Sequence, residues 1–120
     1  MLARSAFRPR RQNSGRQNEG KRFPAHLKWL RGRPCILEGR HGHACEGRME
    51  AMHVDGAGGK GMSMKVADYQ AVPGCSEAHR LLHQYGAATW QRTWRVDLIE
   101  AAKEYAKASP HRFQWEAPRG

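Results

Sequence analysis

The stretch PGCSEAHRLLHQYG, residues 73–86, turns an extended segment into a helix and carries Cys75, His79 and His83 across the turn. Ser76 suits a helix N-cap, Glu77 suits the positive end of the helix dipole and Gly86 supplies a stop, so a helix over 76–85 is expected. Residues four apart share one helical face, which lets His79 and His83 aim ring nitrogens at one divalent ion. The same spacing also occurs where exposed histidines bind nothing, so the flanking sequence has to separate the two readings.

Upstream of the helix, short strands are expected over 48–54 and 69–73, with His53 near the end of the first. A histidine at a strand end beside a metal-binding helix can act as a general base on water, because imidazole titrates near neutral pH. Between the strands lies a run with Gly56, Gly58, Gly59 and Gly61 that also carries Lys60 and Lys65. It lacks the terminal Lys-Ser/Thr of a Walker phosphate loop, and the chain is too short for a dinucleotide-binding βαβ fingerprint. Its bare backbone and two lysines suit close approach to a phosphodiester backbone.

Cys35, Cys45 and Cys75 are the chain's three cysteines, and the segment CILEGRHGHAC, residues 35–45, adds His41 and His43. An odd number argues against a disulfide framework and for a reducing compartment. Thiolate and imidazole are the preferred donors of zinc, and a structural zinc needs four. Three cysteines leave the site one ligand short, and the fourth is expected from His43 or His41, with His79 available only if it is not needed elsewhere. The interval from Cys35 to Cys45 is wider than a usual zinc knuckle.

A helix of about two turns is expected from Pro24, with Leu27, Trp29 and Leu30 packing and Gly32 and Pro34 closing it. A last helix is expected over roughly 87–108, where Trp90, Trp94, Leu98, Ala102 and Tyr105 recur at helical spacing and read as core. Residues 1–22 hold seven basic side chains, Arg8, Arg10 and Arg11 among them, against Glu19 alone. They read as a disordered basic arm preceding a single domain over 23–120. The net charge of +10 over 120 residues implies a polyanionic partner, with nucleic acid ahead of a membrane surface. No apolar run of about 18 residues occurs, so a soluble protein is expected.

Taken together, HLKWLRGRPC (26–35), AMHV around His53, GGKGMSMKVADYQAVPGC (58–75) and CSEAHRLLH (75–83) resemble the HNH, or His-Me finger, nuclease superfamily. The likeness is greatest to small phage and prophage proteins related to the phage recombination-enhancement nuclease, and it runs from about His26 to Trp115. It implies an α+β fold with a small ββα-metal core, flanking helices and a zinc-stapled loop region. It also implies a metal-dependent DNA endonuclease, cytoplasmic in a bacterial host, with phage or host recombination proteins as candidate partners and no membrane association. By position, His53 matches the general base and His79 the ligand of a catalytic Mg2+ or Mn2+. His83 would be a second ligand or a phosphate contact, and Asp68 either a metal ligand or a brace for its loop. Zn2+ would be structural, and Lys60, Lys65 and the arm would hold DNA. The alternative is a catalytically weak zinc-containing DNA-binding protein of a phage recombination or packaging system.

The chain departs from the family pattern at four places. Ala78 stands where a zinc ligand is common, Gly74 where Leu is common and Glu38 where the first knuckle's second cysteine would fall. Met52 stands where an acid often precedes the catalytic histidine.

Overall fold

The structure, a computed structural model, describes residues 19–40, 42–54 and 66–116. Among them the elements are α1 (Pro24–Arg31), β1 (Met49–His53), β2 (Ala71–Cys75), α2 (Ser76–Tyr85), α3 (Ala87–Trp94) and α4 (Leu98–Ala108). Short 3-10 turns lie at Glu19–Lys21 and Arg112–Gln114. The chain thus makes a small α+β domain of four helices and one two-stranded sheet among the described residues.

The strands pair antiparallel, from Met49 opposite Cys75 to His53 opposite Ala71. The second strand lies two residues later than the sequence suggests. Residues before it are held in a turn, in which the Gln70 amide donates to Ala67 O and the Gln70 side chain accepts from the Ala67 amide. Pro73 has no N–H to give its partner Ala51, and its carbonyl instead accepts from the Ile36 amide at 2.9 Å. A proline fits here because each strand of this sheet has a neighbour on one side only. Gly74 has a packing reason: a Cβ there would stand 2.6 Å from the sulfur of Met52, a side chain fully buried in the core.

β2 runs straight into α2 with no linker. The cap of α2 is Cys75 rather than the expected Ser76: its sulfur accepts from the Ala78 amide at 3.4 Å, while Ser76 is the first helical residue. Gly86, at a φ of +86°, ends α2 by returning its amide to Leu82 O and begins α3 by accepting from the Trp90 amide. Its left-handed backbone turns the chain between two helices in one residue.

The single helix expected over 87–108 is two. Arg95 adopts the left-handed conformation, Asp97 caps α4 by accepting from the Glu100 amide, and Gln91 Oε1 accepts from the Leu98 amide at 2.7 Å. The apolar spacing continues across the break, but a short acid that can bond a nearby amide favours a new helix start over a mid-helix position.

Trp90 is the largest fully buried side chain, and its indole N–H donates to Ala78 O at 3.2 Å, which locks α3 onto α2. Leu37, Met52, Val72, Leu98 and Ala102 complete this core. A second, aromatic cluster joins the two ends of the described chain: Trp115 lies edge-on to Phe23 and His26 and stacks on Tyr69, with centroids 4.8–5.3 Å apart.

Candidate metal centre and histidine cleft

Cys35 sits in the turn after α1, His43 and Cys45 in the loop before β1, and Cys75 at the junction of β2 and α2. Their sulfur and ring nitrogen atoms all lie within 4.8 Å of one another. Tetrahedral ligands at zinc bond lengths stand about 3.5–3.8 Å apart, and Cys75 Sγ and His43 Nε2 are already 3.6 Å apart. All three cysteines are free thiols. Backbone amides serve the two buried sulfurs: Leu37 and Cys75 donate to Cys35 Sγ at 3.4 and 3.3 Å, and Ala78 donates to Cys75 Sγ. Such donors stabilise thiolate.

The thiols are not equivalent. Burial pushes the Cys45 thiol up to about 12, and the sulfurs of Cys35 and Cys75 reinforce it. At Cys75 burial raises the pKa, but amides of Ala78 and Glu46 and the other two thiols outweigh it and the net shift is downward. A second thiolate is therefore costly until a cation joins the group. His43 is steadied by the edge of Trp94, 5.5 Å away, and its loop by Arg40, which donates to Trp94 O. The cluster could hold a metal ion such as zinc.

A second group of side chains lines a cleft of about 370 Å³ between the end of β1, α2 and the start of α3: His53, His79 and His83 face it together with Leu82 and Leu98. His53 is 39 % exposed, and its Nε2 lies 2.9 Å from Asp68 Oδ1. Asp68 is fixed in turn, because its other oxygen accepts from the Phe23 amide at 2.7 Å. His79 Nδ1 lies 2.6 Å from Glu50 Oε1, and the Ser76 hydroxyl is within 3.1 Å of Glu50 Oε2. The bond with His79, foremost, holds the Glu50 carboxyl below its ordinary range. The rings of His79 and His83 are 4.8 Å apart. Each carboxylate occupies one nitrogen of its histidine, leaving Nδ1 of His53 and Nε2 of His79.

The structure thus gathers Cys35, His43, Cys45 and Cys75 in one place and sets His53, His79 and His83 around another. Asp68 stands with His53 and the Phe23 amide and does not group with His79 and His83. Ala78, where the family pattern often has a zinc ligand, is fully buried beneath Trp90, and the cluster's donors are Cys35, His43, Cys45 and Cys75. His41, Lys60, Lys65, Arg8, Arg10 and Arg11 lie outside the described residues. Glu50 was not singled out from the sequence. Its signal is strand alternation: it shares a face with Met52 and lies opposite Gly74, beside the first turn of α2.

The chain matches no protein-family model, no curated protein and no solved structure.

Proposed function

We propose that the protein is a metal-dependent DNA endonuclease of the HNH kind, and the observation that carries this is the convergence of His53, His79 and His83 on one cleft, two of them held by carboxylates. With Nε2–H of His53 donated to Asp68, its Nδ1 lone pair accepts a proton from water as the water oxygen bonds to phosphorus. The imidazolium that results is stabilised by the Asp68 carboxylate. The bond from phosphorus to the leaving strand's oxygen breaks in the same displacement. A divalent ion held by His79 Nε2 and His83 would polarise the scissile phosphate and neutralise charge on that oxygen.

Glu50 orients His79 and raises its basicity as a ligand, as carboxylates behind metal-bound histidines do. Two imidazoles suit a first-row ion such as Mn2+ better than Mg2+, which favours oxygen donors. Zn2+ in the cluster of Cys35, His43, Cys45 and Cys75 would staple the loops rather than take part in hydrolysis. The DNA substrate rests on the net charge of +10, and the phage or prophage setting rests on the sequence likeness.

Plasmid nicking with Mn2+, Mg2+ or EDTA, comparing the natural protein with His53→Ala, tests the reading. Nicking that needs the ion and falls at least a hundredfold in the variant is expected; equal nicking by both proteins, or none with any ion, would sink it. The second reading, a metal-stapled DNA-binding module without hydrolysis, is favoured by the Cys/His cluster. It predicts DNA binding without nicking.

A further inference from the structure

Several basic side chains are taken up by nearby acids. Arg80 is paired with Glu77, Lys103 with Glu100 and Arg112 with Glu116, each within its own helix or turn. Arg31 and Arg48 differ. Both are exposed, and neither guanidinium has a hydrogen bond or ion pair among the described residues. They line one groove of about 780 Å³ between α1 and β1, whose remaining wall is Leu27, Met49, Glu50 and Ala51. The single acid of that wall, Glu50, stays ionised while bonded to His79 and Ser76 and interacts with the Arg48 charge, so with two guanidinium groups against one carboxylate the groove remains net positive.

The groove and the histidine cleft meet at one contact: Glu50 forms part of the groove's wall and touches His79, which faces the cleft. Arg48 precedes β1 and His53 ends it, so about 17 Å of strand separates them, the axial length of roughly five nucleotide steps in a duplex. We infer that this groove binds the phosphodiester backbone of DNA, with Arg31 and Arg48 each neutralising a phosphate of the strand that enters the cleft. Guanidinium groups offer forked donors matched to phosphate oxygens, and the apolar floor of Leu27, Met49 and Ala51 is suited to sugar. An acidic peptide would meet the same charges, but it has no reason to continue towards three histidines.

The inference deepens the nuclease reading and rests on it for the choice of ligand. Its test is the binding of a fluorescein-labelled 20-bp DNA duplex to the full chain with no Mn2+ or Mg2+ added and no chelator, followed by anisotropy over a range of salt. Arg31→Gln/Arg48→Gln should weaken binding at least tenfold and flatten the slope of log K against log salt by about 1.8, the value for two lost phosphate contacts. Arg31→Lys/Arg48→Lys should restore most of the slope, which separates lost charge from lost folding. An unchanged slope in the glutamine variant would overturn the inference. So would a poly-glutamate peptide whose binding, but not that of DNA, depends on these arginines. If the slope flattens while the natural protein nicks with no ion, the nuclease reading fails and the groove stands; if nicking needs His53 while the slope is unchanged, the groove fails alone.

Discussion

Asp68 shows how much a single side chain does here. One of its oxygens accepts from the Phe23 amide and the other faces His53 Nε2, so it fixes both the orientation and the tautomer of that imidazole. In Asp68→Asn the amide could present N–H to Nε2 and leave the proton on Nδ1, on the side facing the cleft. Nicking should then fall roughly 10²–10⁴-fold, as when the carboxylate behind a catalytic histidine is neutralised elsewhere, while the circular dichroism spectrum stays that of the natural protein. A variant as active as the natural protein would show that Asp68 only braces its loop. From the sequence, His79 was named by its spacing from His83, His53 by its place at a strand end and Asp68 by the family likeness alone. Glu50 was not, because its role depends on the register that sets it opposite Gly74 and beside His79. Register is a long-range property that a strand of five residues does not declare.

Among elements, α2 was the most legible: Ser76, Glu77 and Gly86 mark its ends in sequence, and the helix runs Ser76–Tyr85. The break between α3 and α4 was hidden because Trp90, Trp94 and Leu98 keep helical spacing through it, and only Asp97 as a cap betrays it. The cap of α2 has a consequence for the metal cluster. Cys75 both belongs to the four-donor group and caps the helix that presents His79 and His83. If the group holds zinc, removing the ion or one donor should therefore loosen the start of α2 and not only the loops. With Co2+ bound, thiolate-to-metal absorption should be strong in the natural protein and diminished in Cys45→Ser. Amides at the start of α2 should exchange with solvent roughly tenfold faster or more after chelation, because the four-donor group ties down the residue that caps them. Unchanged exchange there, with the metal gone, would uncouple the cluster from the cleft.

For the molecule as a whole, no helix of the described residues is long and apolar enough to cross a membrane, and the helices close over one core around Trp90. The α+β character followed from the family likeness and hydrophobic spacing marked Leu30, Trp90, Leu98 and Ala102 of the core, but Leu37, Met52 and Val72 were not marked, nor was the aromatic cluster at the chain ends, which unites residues as far apart as Phe23 and Trp115. At its centre His26 is fully buried; its Nδ1 lies 2.9 Å from the Ser109 hydroxyl, and its Nε2 has no partner. Burial first, and then the nearby His111, lower its pKa to about 4 against the opposing pull of Asp68. The unfolded chain takes up a proton on this residue as pH falls through 6.5, whereas the folded protein does so only near 4. Between those values the unfolded state binds more protons, so the stability is whole above 6.5 and declines as pH drops, by about 3 kcal/mol at pH 4. Urea unfolding at pH 7 and pH 4.5, for the natural protein and for His26→Phe, measures it. Acid loss of any ion that the Cys/His cluster holds would affect both proteins alike and cancel in the comparison. The natural protein should lose about 2–3 kcal/mol more than the variant on acidification; equal losses would mean that His26 is solvated well enough to titrate in the fold, and that the aromatic cluster does not seal the chain ends.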